Sequence, residues 1–307
     1  MSKAGTIYSK DKDFWEKYRK GRPQVPDSFF QRIFDYHASH GGEFGTVHDA
    51  GAGGGVHSAR LAGRFGKVIV SDVFESNIEA AKSHLSGPKY EFRAMKLEDT
   101  INFPAASVDM VFASTMLHFT DVEQALEAVA HQLKPGGTFA VPLLGIPRFS
   151  NPQVQNCFTK VFHEGCGQRY GKLKEEDVAK VWINATGYDC VALPERYFQP
   201  GGLRIRLNEP LCGSVGGTHY ELKMPEYLRL GSAPPCAILD NEQVVYETDN
   251  DWVFHTDIAA VEDLLATLPF DLGTINMKHL STELSEAIGD HEVEGRWVVY
   301  LLLATRR

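Results

Sequence analysis

Short apolar runs alternate with segments of helical period along the first half of the chain. Thr46 to His48 reads as the end of a first strand, Val68 to Val70 as a second and Tyr90 to Arg93 as a third. Val108 to Ala113 and Thr138 to Leu144 supply a fourth and a fifth. The apolar character of the fourth run suits a parallel strand covered on both faces. Between the runs, Val56 to Phe65 carries Ala59, Ala62 and Phe65 on one helical face. Phe74 to Leu85 places Ser76, Ile78, Ala80 and Ala81 to suit a helix on the sheet. Another helix starts at Asp121, runs through Val129 and is ended by the LKPGG stretch of residues 133–137. This alternation implies a parallel sheet with helices on both faces.

Ahead of that unit, residues 11–19 read as a short helix offering Phe14, Trp15 and Tyr18. Residues 21–23, Gly-Arg-Pro, stop it, because proline disfavours helical geometry in the residue before it. A second helix starts near Pro26 and Asp27, where Phe29, Phe30, Ile33, Phe34 and His37 recur at helical spacing. Beyond Leu144 the pattern changes. Residues 151–187 read as helical, with Val154, Phe158, Val161 and Phe162 followed by Val178, Val181 and Trp182, and a strand is expected over Tyr188 to Tyr197. Gln199 to Glu247 is rich in Gly and Pro without a clear period, which suggests an irregular insertion over a site, since loops that long are usually functional or mobile. Val253 to Leu268 and Leu280 to Ile288 read as helices, and Arg296 to Thr305 as a last, almost wholly apolar strand. The expected organisation is a helical lid over 1–40, a core over 41–147, a cap or insertion including the sixth strand over 148–255, and a return to the core over 256–307.

The first strand breaks into Gly51, Ala52, Gly53, Gly54 and Gly55, and the second ends at Ser71 and Asp72. Strand, glycine turn, helix, strand and acid make half of a nucleotide-binding sheet, in which an acid about 20 positions after the first glycine accepts from ribose hydroxyls. The dinucleotide fingerprint needs a third glycine where Val56 stands. Asp49, just before the glycines, repels a pyrophosphate but attracts an ammonium group. S-adenosylmethionine has an α-ammonium and no phosphate.

Asp49, Gly51, Gly53 and Gly55 match, position by position, the first motif of the class I S-adenosylmethionine-dependent methyltransferases, which the chain therefore resembles. The segment from Tyr18 to His37 further resembles the opening of the trans-aconitate methyltransferase group, in which an N-terminal helix closes over the cofactor; Tyr18 and Arg22 match there as lid candidates. The loop from Met95 to Ser107 resembles the family's adenine-contacting turn, with Leu97 and Glu98 the best alignment and Asp99 one step away. Ser114 to Phe119 follow the fourth strand, at the edge where open α/β sheets bind ligands. A histidine followed by an aromatic also occurs there in the family, which makes His118 the candidate catalytic or substrate-site residue, against a histidine that only fills the turn. The resemblance implies a doubly wound, Rossmann-like, seven-stranded and mostly parallel α/β sheet with an antiparallel last strand. It also implies S-adenosylmethionine contacts from Asp49, Gly51, Ala52, Gly53, Gly55, Asp72, Leu97, Glu98 and Ser114.

Composition narrows the partners. A chain of 307 residues, 43% hydrophobic and 23% charged, buries one large core or two modest ones. Its net charge of −9 and pI near 5.7 argue against a nucleic-acid binder, which carries a basic face. Met1 to Phe14 holds no apolar core of the secretory kind and no run reaches membrane-span length, so a cytoplasmic location and no membrane partner are expected. The five cysteines form no CxxC pair, and Cys157, His163 and Cys166 match no ordinary zinc spacing, so reduced thiols and no metal are expected.

The resemblance implies transfer of an already activated methyl group to a small-molecule acceptor, which needs positioning, desolvation and sometimes a base. Oxygen is the expected acceptor atom, and the resemblance to the aconitate group makes a carboxylate the leading acceptor, with a hydroxyl the other. Arg204 and Arg206, two apart, share one face if extended and could clamp a carboxylate; the alternative is two solvated arginines. Two other activities remain open at this level: a rearrangement or cyclisation on the same fold, and a non-catalytic binding module.

Overall fold

The computed structural model describes residue 10 and residues 12–170, 175–209, 234–268 and 270–307. Most of the N-terminal segment read for targeting, Cys212 and residues 210–233 of the expected insertion lie outside these. In chain order the elements are α1 (Lys12–Gly21), α2 (Asp27–Ser39), β1 (Thr46–Ala50), α3 (Ser58–Ala62), β2 (Lys67–Asp72), α4 (Glu75–Lys82), β3 (Tyr90–Ala94) and β4 (Val108–Phe112). There follow α5 (Val122–Gln132), β5 (Leu133–Phe149), α6 (Pro152–Tyr170), α7 (Glu175–Ala185), β6 (Leu203–Leu207), β7 (Gln243–Glu247), β8 (Val253–Thr256), α8 (Ile258–Ala266), α9 (Ile275–Ile288) and β9 (Val293–Thr305).

The strands form one sheet in the order β3-β2-β1-β4-β5-β9-β6-β7, with β8 also paired to β9. Pairings β2–β3, β1–β2, β1–β4, β4–β5 and β6–β7 are parallel, whereas β9 runs antiparallel to β5, β6 and β8. The doubly wound, mostly parallel sheet with an antiparallel last strand is thus present. Seven strands make the expected sheet, and two more, β7 at its edge and β8 beside β9, bring the described residues to nine.

Alternate side chains of each strand feed two cores. Val68, Val70, Met110, Phe112, Leu301 and Leu303 pack with Phe29, Phe30, Leu61 and Leu284 on one face. Ile69, Val111, Phe139, Leu302 and Ala304 pack with Ala125, Leu126, Val129 and Tyr188 on the other. Period-two burial on both faces explains why these strands read as continuous apolar runs. No helix among the described residues is long and apolar enough to cross a membrane.

Four segments differ from expectation, the first being Gln199 to Glu247, read as an irregular insertion, whose described ends hold β6 and β7 of the sheet. Tyr188 to Tyr197 forms turns and irregular backbone, and the sixth strand is Leu203–Leu207. Gly187 and Tyr188 adopt positive φ of 59° and 70°, which breaks an extended path. The carbonyls of Tyr188 and Val191 accept from Arg204 Nη1 and Nη2 at 2.8 and 2.9 Å instead of from a neighbouring strand. Val253 to Leu268 is divided: Val253–Thr256 pairs with β9, and the helix begins only after Asp257, whose side chain accepts from Ala260 N at 2.9 Å. In the first half, α3 spans only Ser58–Ala62 because the glycine turn continues through His57.

Arg204 and Arg206 do lie on one face of an extended strand, but both are buried, at 3% and 4% exposure, and they hold the protein's own carboxylates. Arg204 Nε is 2.6 Å from Glu242 Oε2. Arg206 pairs with Asp189 and Glu209 between the rings of Tyr246 and Tyr300. Their position follows from β6 being an internal strand between β9 and β7. Arg204→Met strands the Glu242 carboxylate and two carbonyls in the interior, so it is expected to cost about 3 to 5 kcal/mol of stability. Urea unfolding with an unchanged midpoint would contradict this.

Candidate functional site

A cavity of about 330 Å³ opens at the C-terminal edges of β1, β2 and β4. This is the crevice at which the chain crosses from one half of the sheet to the other, the place where open parallel sheets bind ligands. Of the residues singled out from sequence, Tyr18, Arg22, Asp49, Gly51, Ala52, Gly53, Asp72, Leu97, Glu98 and Ser114 line it. Gly55, His118, Arg204 and Arg206 do not.

The glycine turn is shaped by three positive φ angles: 61° at Gly51, 56° at Gly53 and 72° at Gly55. Only glycine enters this region without steric cost. A Cβ on Gly53 would stand 2.2 Å from the Trp15 indole, and one on Gly55 2.6 Å from Leu85 Cδ1. Gly53 therefore admits α1 over the cavity, while Gly55 serves the packing of the turn on α4 and the residues after it.

Two carboxylates stand side by side beneath the turn. Asp49, 2% exposed, accepts from Ser58 Oγ at 2.6 Å. Burial raises its pKa to about 7, against the Ser58 hydrogen bond and with help from the charge of Asp72. Asp72 Oδ2 accepts from Gly53 N at 3.0 Å, and its Oδ1 from Phe74 N and Asn77 Nδ2, each at 3.0 Å. Burial raises the Asp72 pKa too, and these hydrogen bonds pull it back.

Arg22 enters from the end of α1. Its guanidinium lies over the Tyr18 ring at 4.9 Å, and Nη2 reaches Thr267 O at 3.5 Å. Arg22 Nε is buried and has no hydrogen-bond partner among the described residues. Leu97 and Glu98 settle on the cavity wall, and Asp99 instead accepts from Ile101 N and Asn102 Nδ2 within its own loop. Glu98 also accepts from Asp121 N at 3.2 Å.

His118 sits in a 3₁₀ turn, Leu117–Phe119, with its ring 4.0 Å from that of Phe119 and 3.4 Å from Asn184 Nδ2 of α7. Phe119, not His118, faces the cavity. Successive side chains of a 3₁₀ turn diverge by about 120°, so Phe119 reaches the cavity while His118 turns toward α7, which spacing along the chain cannot reveal.

Two wall residues, His57 and Asn77, escaped sequence reading, and Thr115 was read only as part of the edge from Ser114 to Phe119. His57 lines the cavity with Nε2 3.3 Å from Ser114 Oγ, and burial lowers its pKa to about 4, so it is neutral. Thr115 holds a φ of 53°, a strained setting for a β-branched residue. Its N donates to Pro142 O at 2.8 Å and its Oγ1 accepts from Leu144 N at 3.3 Å, which keeps the turn in place. Asn77 was detectable as an amide among Ile78, Ala80 and Ala81 on the buried face of α4. Nothing in the sequence marks the conformation of Thr115.

The donor set fits a ligand that carries a cation, a diol and a carboxylate. Among the described residues Asp49 has no cation beside it and Arg22 Nε has no acceptor, while Asp72 is presented by backbone and amide donors. The amino-acid and ribose portions of S-adenosylmethionine have these groups.

Known proteins agree in kind. Residues 48–141 match a methyltransferase domain family. The chain is 37% identical to methyltransferase AacuQ of Aspergillus aculeatus over 98% of its own length and 96% of the relative's. It is 38% identical to methyltransferase gedG of Aspergillus terreus over 98% and 93%. A solved structure from Anaeromyxobacter dehalogenans, described as a type II methyltransferase, superposes with a TM-score of 0.60 at 17% identity, covering 92% of this chain and 97% of that one, which shows a shared fold.

The raised pKa of Asp49 has a definite sign in stability. Between the ordinary carboxylate value of 3.8 and about 7 the folded protein holds a proton that the unfolded chain has released. Stability without ligand is therefore expected to fall as pH rises across that window and to level off above it. Asp49→Asn should flatten the slope, measured as thermal midpoint from pH 4 to 8; an unaltered slope would show that Asp49 ionises as freely as in the unfolded chain.

Proposed function

Because the chain belongs to the class I S-adenosylmethionine-dependent methyltransferases, we propose that this cavity binds S-adenosylmethionine and that the enzyme methylates a hydroxyl oxygen of a small molecule. The observation that carries the cofactor reading is that the buried pair Asp49 and Asp72 lines the same cavity as Arg22, whose Nε has no hydrogen-bond partner among the described residues. Asp49 takes the α-ammonium, Arg22 the carboxylate and Asp72 the ribose hydroxyls. Leu97 and Phe74 wall the adenine, with Glu98 at its rim. When bound, the cofactor supplies a methyl group already activated by the sulfonium.

What remains for the chain is to position the acceptor, exclude water and handle one proton. Thr115, Met116, Phe119 and Leu144 form the part of the wall past Ser114. That stretch is mainly apolar and holds no cation, while Arg204 and Arg206 are committed to Glu242, Asp189 and Glu209. A neutral hydroxyl on an apolar body suits such a wall better than a carboxylate does. The relatives AacuQ and gedG are named as methyltransferases without an acceptor, so the aconitate likeness of the N-terminal segment adds nothing to this choice.

His57, neutral and beside Ser114, accepts a hydrogen bond from the acceptor but is a weak base at a pKa of about 4. An acceptor of phenolic acidity needs the least help from it. His118 backs Phe119 and, with Asn184, ties the acceptor wall to α7 of the cap. Helix α1, through Trp15 over the glycine turn, acts as the lid, and helix α7, through Asn184, as the cap on the acceptor side.

Titration calorimetry tests the cofactor assignment. Arg22→Gln and Asp72→Ala should each weaken S-adenosylmethionine binding by about 1.5 to 3 kcal/mol, roughly 10- to 150-fold. Incubation with methyl-labelled cofactor and matched panels of phenols and carboxylic acids tests the acceptor. Label is expected in alkali-stable phenolic ethers; label confined to alkali-labile esters would replace the hydroxyl with a carboxylate, and an absence of cofactor binding would remove the assignment altogether.

A further inference from the structure

Asn77 lies in the wall of the cavity, 1% exposed, between the lid helix and the acid assigned to the ribose. Its Oδ1 accepts from Trp15 Nε1 at 3.0 Å and from Lys10 N at 3.2 Å, and its Nδ2 donates to Asp72 Oδ1 at 3.0 Å. The indole N–H only donates and an ionised carboxylate only accepts. A side chain standing between them must therefore accept on one side and donate on the other, which an amide does and neither leucine nor aspartate can. Trp15 is itself 6% exposed and covers the glycine turn.

We propose that Asn77 is a positioning residue that couples seating of α1 to the orientation of Asp72, so that the lid is held through the same carboxylate that holds the cofactor ribose. The inference rests on the cofactor reading given above and extends it to the timing of cofactor release. With the bridge in place, opening α1 breaks the Trp15 to Asn77 bond and frees the amide to turn away from Asp72. Ribose contact and lid closure then strengthen one another, and the cofactor leaves slowly. Ser76 and Ile78 cannot substitute, because successive residues of a helix point about 100° apart and neither is directed between Trp15 and Asp72 as Asn77 is.

A double-mutant cycle separates this coupling from a purely structural role for Asn77. Asn77→Leu and Trp15→Phe are each expected to raise the Kd for S-adenosylmethionine about tenfold, through faster dissociation, and the double variant to be no worse than Asn77→Leu by more than about twofold. Effects that multiply to about a hundredfold would overturn the coupling. Trypsin cleavage at Lys17, Arg19 and Lys20 of ligand-free protein reads the bridge without the cofactor: both single variants should be cut faster than wild type, and the double no faster than either. Cleavage at the wild-type rate in Asn77→Leu would also overturn it. If wild type bound no S-adenosylmethionine, the cofactor reading would fail while the cleavage comparison still decided the bridge. Should Asn77→Leu fail to fold, Asn77→Ala, which offers neither donor nor acceptor, completes the same cycle.

Discussion

Two carboxylates buried side by side at the ends of β1 and β2 are the constraint to which the rest of the site answers. Burial drives both toward the neutral form, and the charge of Asp72 further disfavours that of Asp49. The fold meets this with donors: Ser58 for Asp49, and Gly53 N, Phe74 N and Asn77 for Asp72. The glycine turn follows from the same need, because only a chain free to take positive φ aims Gly53 N at Asp72 and leaves room for Trp15 above it. Among the described residues, none supplies Asp49 with a cation. A ligand bearing one completes the site, and the binding energy offsets a cost already built into the fold.

On the far side of the sheet the same logic of buried charge acts in closed form. Arg204 and Arg206 are internal to the sheet and fully answered by Glu242, Asp189, Glu209 and two backbone carbonyls. Such an arrangement costs desolvation on both sides and leaves nothing for a ligand. Its work is topological: Arg204 ties the irregular segment around Tyr188 and Val191 to β6, and that segment carries Tyr188 to within 6.5 Å of the His118 ring. The cap helix α7 meets the acceptor wall at the same place, through Asn184.

Between these two regions lies the strained turn after β4. Thr115 in a left-handed conformation costs about 1 to 2 kcal/mol, and its hydrogen bonds to β5 hold it there. The turn sets Met116 against Gly51 and sends Phe119 toward the cavity. Strain, apolar side chains and the adjacent His57 and Ser114 pair make this the acceptor end, in contrast to the charged cofactor end beneath α1.

Local pattern was enough to make the doubly wound sheet, the glycine turn, Asp49 and Asp72 legible, because each depends on period, on glycine's freedom at positive φ, or on a fixed offset along one strand–turn–strand unit, whereas the Leu97 and Glu98 loop came by resemblance, with Asp99 the other register. The antiparallel last strand was legible as an apolar run whose placement came by resemblance. Tertiary structure alone decided the rest. Arg204 and Arg206 look the same in sequence whether a substrate or Glu242 and Asp189 answer them, since those partners come from distant segments. His118 and Phe119 exchange roles through a single 3₁₀ turn. Tyr188 to Tyr197 has the composition of a strand, yet its backbone partners are a guanidinium instead of a ladder. Asn77 becomes a bridge only when α1 folds back across more than 60 residues of chain to bring Trp15 to it. Pairings between segments far apart in the chain leave no local period to read, and here they decide which charges are spent on the fold and which are left for a ligand.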